Sequence, residues 1–290
     1  MNLIFIGGSG RSGTTLVQKI LILHSQIAGG PEFDHLPALM KNYSVMSSKH
    51  HIDRQKFFYD ENNLSEKWRS FIGSFFSDAL VKKPGAIYFS EKTPDNLYAA
   101  EELLTLFPNS KFIYMYRDGR DVVNSFLQVK KKYKEAGDKS FGKRGTAKNF
   151  ASAWVAANNF YFSLKEKENL KGRMYEVKYE ELTSSPAIEI PKLMQFIGLE
   201  TEASQLTPAK FSSGETQMKI DNLWYDEKKF SQDFNTSNIG KWKSELGLLD
   251  KFFVQIIEAK KLNQLGYKVS SFYLQLNKIA HSILSMLKII

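Results

Sequence analysis

The chain is 290 residues long, 42% hydrophobic and 24% charged, which fits one large α/β domain or two small ones around a sizeable core. Its 40 Lys and Arg against 31 Asp and Glu leave a formal charge of +9, a surface that draws anionic partners. There is no cysteine, which excludes disulfides, thiolate nucleophiles, Cys-containing zinc sites and iron–sulfur clusters.

Residues 3–6 are a short apolar run before glycines, the pattern of a buried strand. The start lacks the basic opening of a signal peptide, and no stretch reaches about 18 apolar residues, so a cytoplasmic protein without a membrane span is expected. Residues 14–24 carry Leu16, Val17, Ile20, Leu21 and Leu23 at helical spacing. Residues 49–82 predict one or two helices, 86–90 a second strand, and 95–106 a helix that stops at Phe107-Pro108-Asn109. Residues 111–116 are a strand, and 121–131 open another helix.

Residues 128–149 read as a basic connection, with Lys130, Lys131, Lys132, Lys134, Lys139, Lys143, Arg144 and Lys148. A long helix over 144–166, a fourth strand over 173–178 and a helix over 186–197, ending near Gly198, follow. Residues 205–240 are polar and irregular, with Trp224 and Tyr225. Phe272, Leu276, Ile279, Ala280, Ile283, Leu284, Leu287 and Ile290 fall at helical spacing. They predict an amphipathic helix over 271–290 that docks on the core or meets a partner or membrane surface. Strands alternating with helices give an α/β class: a three-layer, P-loop-like fold with a central parallel sheet flanked by helices. Residues 1–270 are expected to form a single domain. Ligands in such folds sit beyond the carboxyl ends of the strands, which puts 7–15 and 117–125 on one rim.

The strongest motif is strand, glycine-rich loop, helix, with Gly7-Gly8-Ser9-Gly10-Arg11-Ser12-Gly13-Thr14-Thr15 as the loop. Glycines let backbone N–H groups converge, and the helix N-terminus adds its positive dipole end. The lysine of the nucleoside triphosphate loop is missing, since Thr14 stands there; positive charge comes from Arg11 instead. A second motif, Arg117-Asp118-Gly119-Arg120-Asp121, ends a strand and is followed by Ser125 on the next helix. An arginine fork plus one hydroxyl suits a second phosphate.

These residues resemble the PAPS-dependent sulfotransferase family (PAPS is 3′-phosphoadenosine 5′-phosphosulfate). The resemblance spans roughly residues 2–245 and is closest to the protein-tyrosine and carbohydrate branches. It implies that Gly10, Arg11, Ser12, Gly13, Thr14 and Thr15 hold the 5′-phosphosulfate, and that Arg117 and Ser125 hold the 3′-phosphate. Asn238-Ile239-Gly240-Lys241-Trp242-Lys243 is similar to the family's C-terminal basic segment, which would bring Lys241 to the 3′-phosphate. Val177-Lys178-Tyr179-Glu180-Glu181-Leu182 resembles an architectural strand, with Tyr179 near the nucleotide. Glu32 matches the family's catalytic glutamate, with Asp34 and His35 as alternative bases. Lys92 matches its lysine at the bridging oxygen, a role Arg11 would share. One departure is Gly240, where the tyrosylprotein enzymes carry a serine before Lys-Trp; Ser237 is out of register.

The implied reaction is in-line sulfuryl transfer from PAPS to a hydroxyl acceptor on a peptide, glycan or small molecule, with protein tyrosine or carbohydrate favoured. The basic 128–149 segment suggests an acidic acceptor. No metal site is expected, because the five histidines form no ligating pattern. A nucleic-acid partner is not expected either, since it would leave two phosphate sites unexplained. A P-loop kinase or NTPase, and a nucleotide-binding protein without catalysis, are the competing readings.

Overall fold

The computed structural model describes residues 2–138, 145–207 and 234–286. Five parallel strands form one sheet in the order β2-β3-β1-β4-β5. They are β1 (Asn2–Gly8), β2 (Ile27–Gly29), β3 (Tyr88–Lys92), β4 (Lys111–Tyr116) and β5 (Met174–Lys178). In the centre, Ile4 of β1 lies opposite Ser90 of β3 and Lys111 of β4. Successive side chains of β1 point to opposite faces. Leu3 and Phe5 therefore pack under α2 (Leu36–Met46), α4 (Glu61–Leu80), α5 (Ala100–Leu106) and α7 (Ala147–Lys165). Ile4 and Ile6 pack with α1 (Thr14–Ile22) and α9 (Pro186–Ile197) on the other face. A sheet buried on both faces explains why β1 and β4 read as continuous apolar runs.

Several elements differ from the expected ones. The sheet has a fifth strand, because the three-residue β2 is too short to carry a pattern. Helix α2 follows Pro31 and starts at Leu36-Pro37, where proline suits the first turn. Residues 49–82 split into α3 (Lys49–Arg54) and α4, which opens on an Asp60–Asn63 capping box. Residues 95–106 begin as a 3₁₀ helix (Pro94–Ala99) before α5. The described ends of the expected basic connection enter helices, since α6 runs unbroken over Gly119–Glu135 and α7 begins at Ala147. Strand β3 reaches Lys92, two residues beyond the expected end. Residue Tyr179 opens α8 (Tyr179–Ser184) and is not in the strand. Lys139, Lys143, Arg144, Trp224 and Tyr225 lie outside the described residues.

Beyond β4, helices α6 and α7 pack with α12 (Leu248–Gln264), burying Val122, Trp154 and Leu262 together. Helices α10 (Ala203–Leu206) and α11 (Trp242–Glu245) are single turns before it. The last helix, α13 (Ser271–Met286), lies on α12: Asn277 Nδ2 donates to Ile256 O at 2.8 Å. Phe272, Ile279 and Ile283 stay more than half exposed on it, at 55%, 55% and 51%. No helix among the described residues is long and apolar enough to cross a membrane.

Glu258 of α12 is fully buried with neither carboxyl oxygen hydrogen-bonded. It occupies the space a Cβ on Gly119 would need, 2.5 Å from that position. Burial, then the Asp118 carboxylate, push its pKa well up, with Arg120 opposing. A carboxyl raised in the folded state holds its proton more tightly there. Its contribution to stability is complete below the ordinary carboxyl pKa and is lost as pH climbs through the folded value. Glu258→Met, which removes both unpaired oxygens, is therefore expected to stabilise the protein by about 1–2 kcal/mol at pH 8. The gain should shrink at pH 5, as read by thermal unfolding at the two pH values.

Candidate active site

The carboxyl ends of the strands open into a cleft of about 1210 Å³. At its centre the chain leaves β1 and turns through residues 9–13 into α1. Arg11 takes a left-handed backbone, φ 67, which is uncommon for a residue with a Cβ. The turn aims its side chain across the cleft, and Arg11 Nε donates to Ser125 Oγ at 3.0 Å. Gly13 has φ 104, and a Cβ there would stand 2.7 Å from the Tyr179 ring, so only glycine fits. Ser12 is fully buried in the loop, and its Oγ has no hydrogen-bond partner.

Arg117 follows β4 on one side of this loop. Its guanidinium lies 4.4 Å over the Tyr179 ring. Nη1 donates to Arg11 O at 3.4 Å, Nη2 donates to Asn238 O, and Nε is buried without a partner. Asp121, four residues on, accepts from Gly240 N at 2.6 Å and Trp242 N at 3.0 Å. Its carboxylate also stands 3.9 Å from Arg117 Nη2. Asp121 thus ties the 238–242 turn to the arginine and brings Lys241 to the cleft wall. Burial pushes its carboxyl up, opposed by the Trp242 N–H, Arg117 and the Gly240 N–H. Trp242 packs on Arg120, 4.3 Å from the guanidinium, and Arg120 pairs with Asp118 at 2.7 Å.

On the other side of the loop, Lys92 ends β3 and forms an ion pair with Glu32. The Lys92 side chain is buried, whereas Glu32 is 29% exposed toward the cleft. The loop that carries Glu32 is pinned twice. Gln18 Nε2 of α1 donates to Gly30 O at 3.4 Å and Ser90 O at 3.0 Å. Glu91, buried beside Lys92, accepts from Phe33 N at 3.0 Å and Thr93 Oγ1 at 2.8 Å, and also from Asn96. Burial raises the Glu91 carboxyl, and these donors oppose it. Burial, then the neighbouring Glu32 carboxylate, raise the carboxyl of Asp34, which lines the cleft, while His35 stacks edge-on against Phe33 outside the cleft wall.

The cleft therefore gathers Gly10, Arg11, Gly13, Thr14, Thr15, Glu32, Lys92, Arg117, Ser125 and Lys241 on one wall system, with Ser12 beneath it. Sequence reasoning missed Asp121, Asn238, Glu91 and Gln18. Only Asp121 carried a signal, an acid one helical turn after Arg117. The others act through contacts between residues far apart in sequence, which no local pattern records. Among the described residues no three His, Cys, Asp or Glu side chains gather as a metal site.

The model of the sulfotransferase family matches residues 3–203. The chain is 27% identical over 244 residues to protein-tyrosine sulfotransferase 2 of Gallus gallus, covering 83% of this chain and 63% of that protein. It thus spans less than two thirds of that relative's length. In structure it resembles the sulfotransferase domain from the curacin biosynthetic pathway, at TM-score 0.64 and 22% identity, covering 93% of this chain and 99% of that one. It also resembles a mouse sulfotransferase complexed with PAP, at TM-score 0.51 and 14% identity, covering 97% and 89%. The family match takes in the phosphate loop, Glu32, Lys92 and the Arg117–Ser125 segment, and on that extent this chain belongs to the sulfotransferase family.

Proposed function

We propose that this chain transfers a sulfuryl group from PAPS to a hydroxyl acceptor, with the phenol of tyrosine favoured. The observation that carries the reading is the contact between the two anion-binding motifs. Arg11 and Ser125, 114 residues apart, meet at 3.0 Å, a contact that supports one ligand with two phosphates spanning both arms. The residues fit such a ligand: Ser12 Oγ and Arg117 Nε are buried donors without partners, one in each arm. Arg11, Ser12, Gly13, Thr14 and Thr15 would hold the 5′ end. Arg117, Ser125 and Lys241 would hold the 3′-phosphate.

When bound, PAPS supplies a sulfuryl group whose bond to the 5′-phosphate oxygen breaks as the acceptor oxygen bonds to sulfur. Glu32 takes the acceptor's hydroxyl proton. Lys92 orients Glu32 through their ion pair, and with Arg11 it offers positive charge where negative charge builds on the departing phosphate oxygen. Glu91 and Gln18 hold the Glu32 loop rigid, which keeps the proton acceptor in place. Residues 1–270 belong to the transferase body in this reading, with the helix Ser271–Met286 appended.

The test is calorimetric titration with 3′,5′-adenosine bisphosphate (PAP, the spent donor) beside ATP and AMP, without Mg²⁺. Tight binding of PAP over both others is expected. Equal binding of ATP, or no binding of PAP, rejects the reading. In the same assay Asp121→Asn is expected to weaken PAP by about 1 kcal/mol, since one of two backbone hydrogen bonds holding the Lys241 turn is lost.

A further inference from the structure

Helical geometry divides α13 into stripes of different character. Tyr273, Asn277 and Ala280 share the flank turned to α12: the Tyr273 ring lies 6.2 Å from that of Phe252, and Asn277 donates to Ile256 O. Ser271, Gln275, Lys278 and Ser282 form an exposed polar stripe on the opposite flank. Between the two flanks runs an apolar stripe of Phe272, Leu276, Ile279 and Ile283, of which only Leu276 is half-buried. Docking on α12 therefore uses one flank of the helix and leaves its apolar stripe facing outward.

The apolar surface continues onto α12. The Phe272 and Tyr273 rings are 5.3 Å apart, and Tyr273 leads on to Phe252. Phe252 follows Leu248 and Leu249 by one helical turn, and those two leucines are 84% and 75% exposed. Contiguous exposed apolar surface of this kind marks a contact with another body.

Charge says which body. From 259 to 286 the chain has no Asp or Glu, but it has Lys260, Lys261, Lys268 and Lys278. Lys278 flanks the apolar stripe, Lys268 stands in the connection before α13, and Lys260 lies two turns beyond Phe252 on the same side of α12. These three are exposed, and among the described residues none of them forms an ion pair. Of the acids just before this stretch, Glu258 is buried, Glu245 accepts from Asn124 at 2.6 Å, and Asp250 lies in the first turn of α12. Apolar side chains set among such lysines complement a surface with an acyl interior and anionic headgroups. No described helix can cross a membrane, so the contact runs along the surface.

We propose that this face docks on an anionic lipid surface. Helix α13 lies in the headgroup layer, Phe272, Ile279 and Ile283 enter the acyl boundary, and Lys260, Lys268 and Lys278 meet the headgroups. The docking is independent of the transferase reading above.

The experiment is co-sedimentation of the full chain with vesicles of phosphatidylcholine alone, or of phosphatidylcholine with about one third phosphatidylserine. Binding to the anionic vesicles should be about tenfold or more tighter, and should weaken as salt is raised. The overall charge of +9 would attract the chain to anionic vesicles without any apolar contact. The Phe272→Ser/Ile279→Ser/Ile283→Ser variant, which keeps every lysine, separates the two causes and should bind about tenfold or more weakly. Lys260→Glu/Lys278→Glu, which keeps the apolar stripe, should lose a similar factor. Thermal unfolding of both variants should match the parent, since the altered side chains are exposed. Equal binding to the two vesicle types, no binding to either, or unchanged binding by the serine variant overturns the inference. So does a dimer in sedimentation velocity that the serine variant breaks while vesicles go unbound, which would give the face to a second copy of the chain.

Discussion

Glu32→Gln is expected to lower kcat by about 100-fold or more and to leave PAP affinity unchanged. The amide keeps the shape of the side chain and can still accept a hydrogen bond from the acceptor, but it cannot take the proton. An interaction made only in the transition state lowers kcat and kcat/KM together. The location of Glu32 supports separating the two effects, because it sits on the β2–β3 side of the cleft while the residues proposed to hold the nucleotide lie on the loop and the β4–β5 side. The substitution also removes the carboxylate that pairs with buried Lys92, so thermal unfolding should accompany the kinetics. Near-normal turnover would move the proton acceptor to Asp34, the neighbouring carboxyl in the cleft.

Arg117→Ala is expected to weaken PAP binding by about 1.5–3 kcal/mol, the range for hydrogen bonds to charged groups. This residue has more to lose than the proposed phosphate contact. Its guanidinium is pressed between the Tyr179 ring, the carbonyl of Arg11 and the carbonyl of Asn238. Alanine therefore also loosens the tie between the phosphate loop and the 238–242 turn. Arg117→Lys keeps the charge but not the fork, and should recover only part of the affinity. Calorimetry with PAP checks both, and an unchanged affinity for Arg117→Ala would place the 3′-phosphate elsewhere. AMP, which lacks that phosphate, should respond far less to the same substitution.

The contrast between Arg117 and Asp121 illustrates what a sequence exposes. Arg117 stands at the end of an apolar run, before a charged turn and a helix, and all of that is local. Asp121 sits in the first turn of that helix, yet its partners are the N–H groups of Gly240 and Trp242, about 120 residues away. Backbone donors carry no side-chain signature, so nothing in the chain advertises that pairing. The same holds for Glu91, whose acceptor role toward Phe33, Thr93 and Asn96 is invisible beside the more suggestive Lys92. Element boundaries failed for a related reason. Strand β2 has three residues, too few to show a period, and α6 extends through lysines that look like a loop because that helix face meets solvent.

The sequence by itself determined the α/β class, the position of the phosphate loop, and the family, because apolar periodicity, glycine placement and charged residues at strand ends are written in consecutive residues. Only the tertiary structure decided that the two motifs proposed to bind phosphate touch through Arg11 and Ser125. It alone decided that Asp121 holds the Lys241 turn, and that Asp34 and Asp95 line the same cleft as Arg117. The physical reason is the sheet order. Parallel strands connected by crossovers bring together residues in an order the chain does not run in, and the electrostatics of a site depend on those distances rather than on sequence separation.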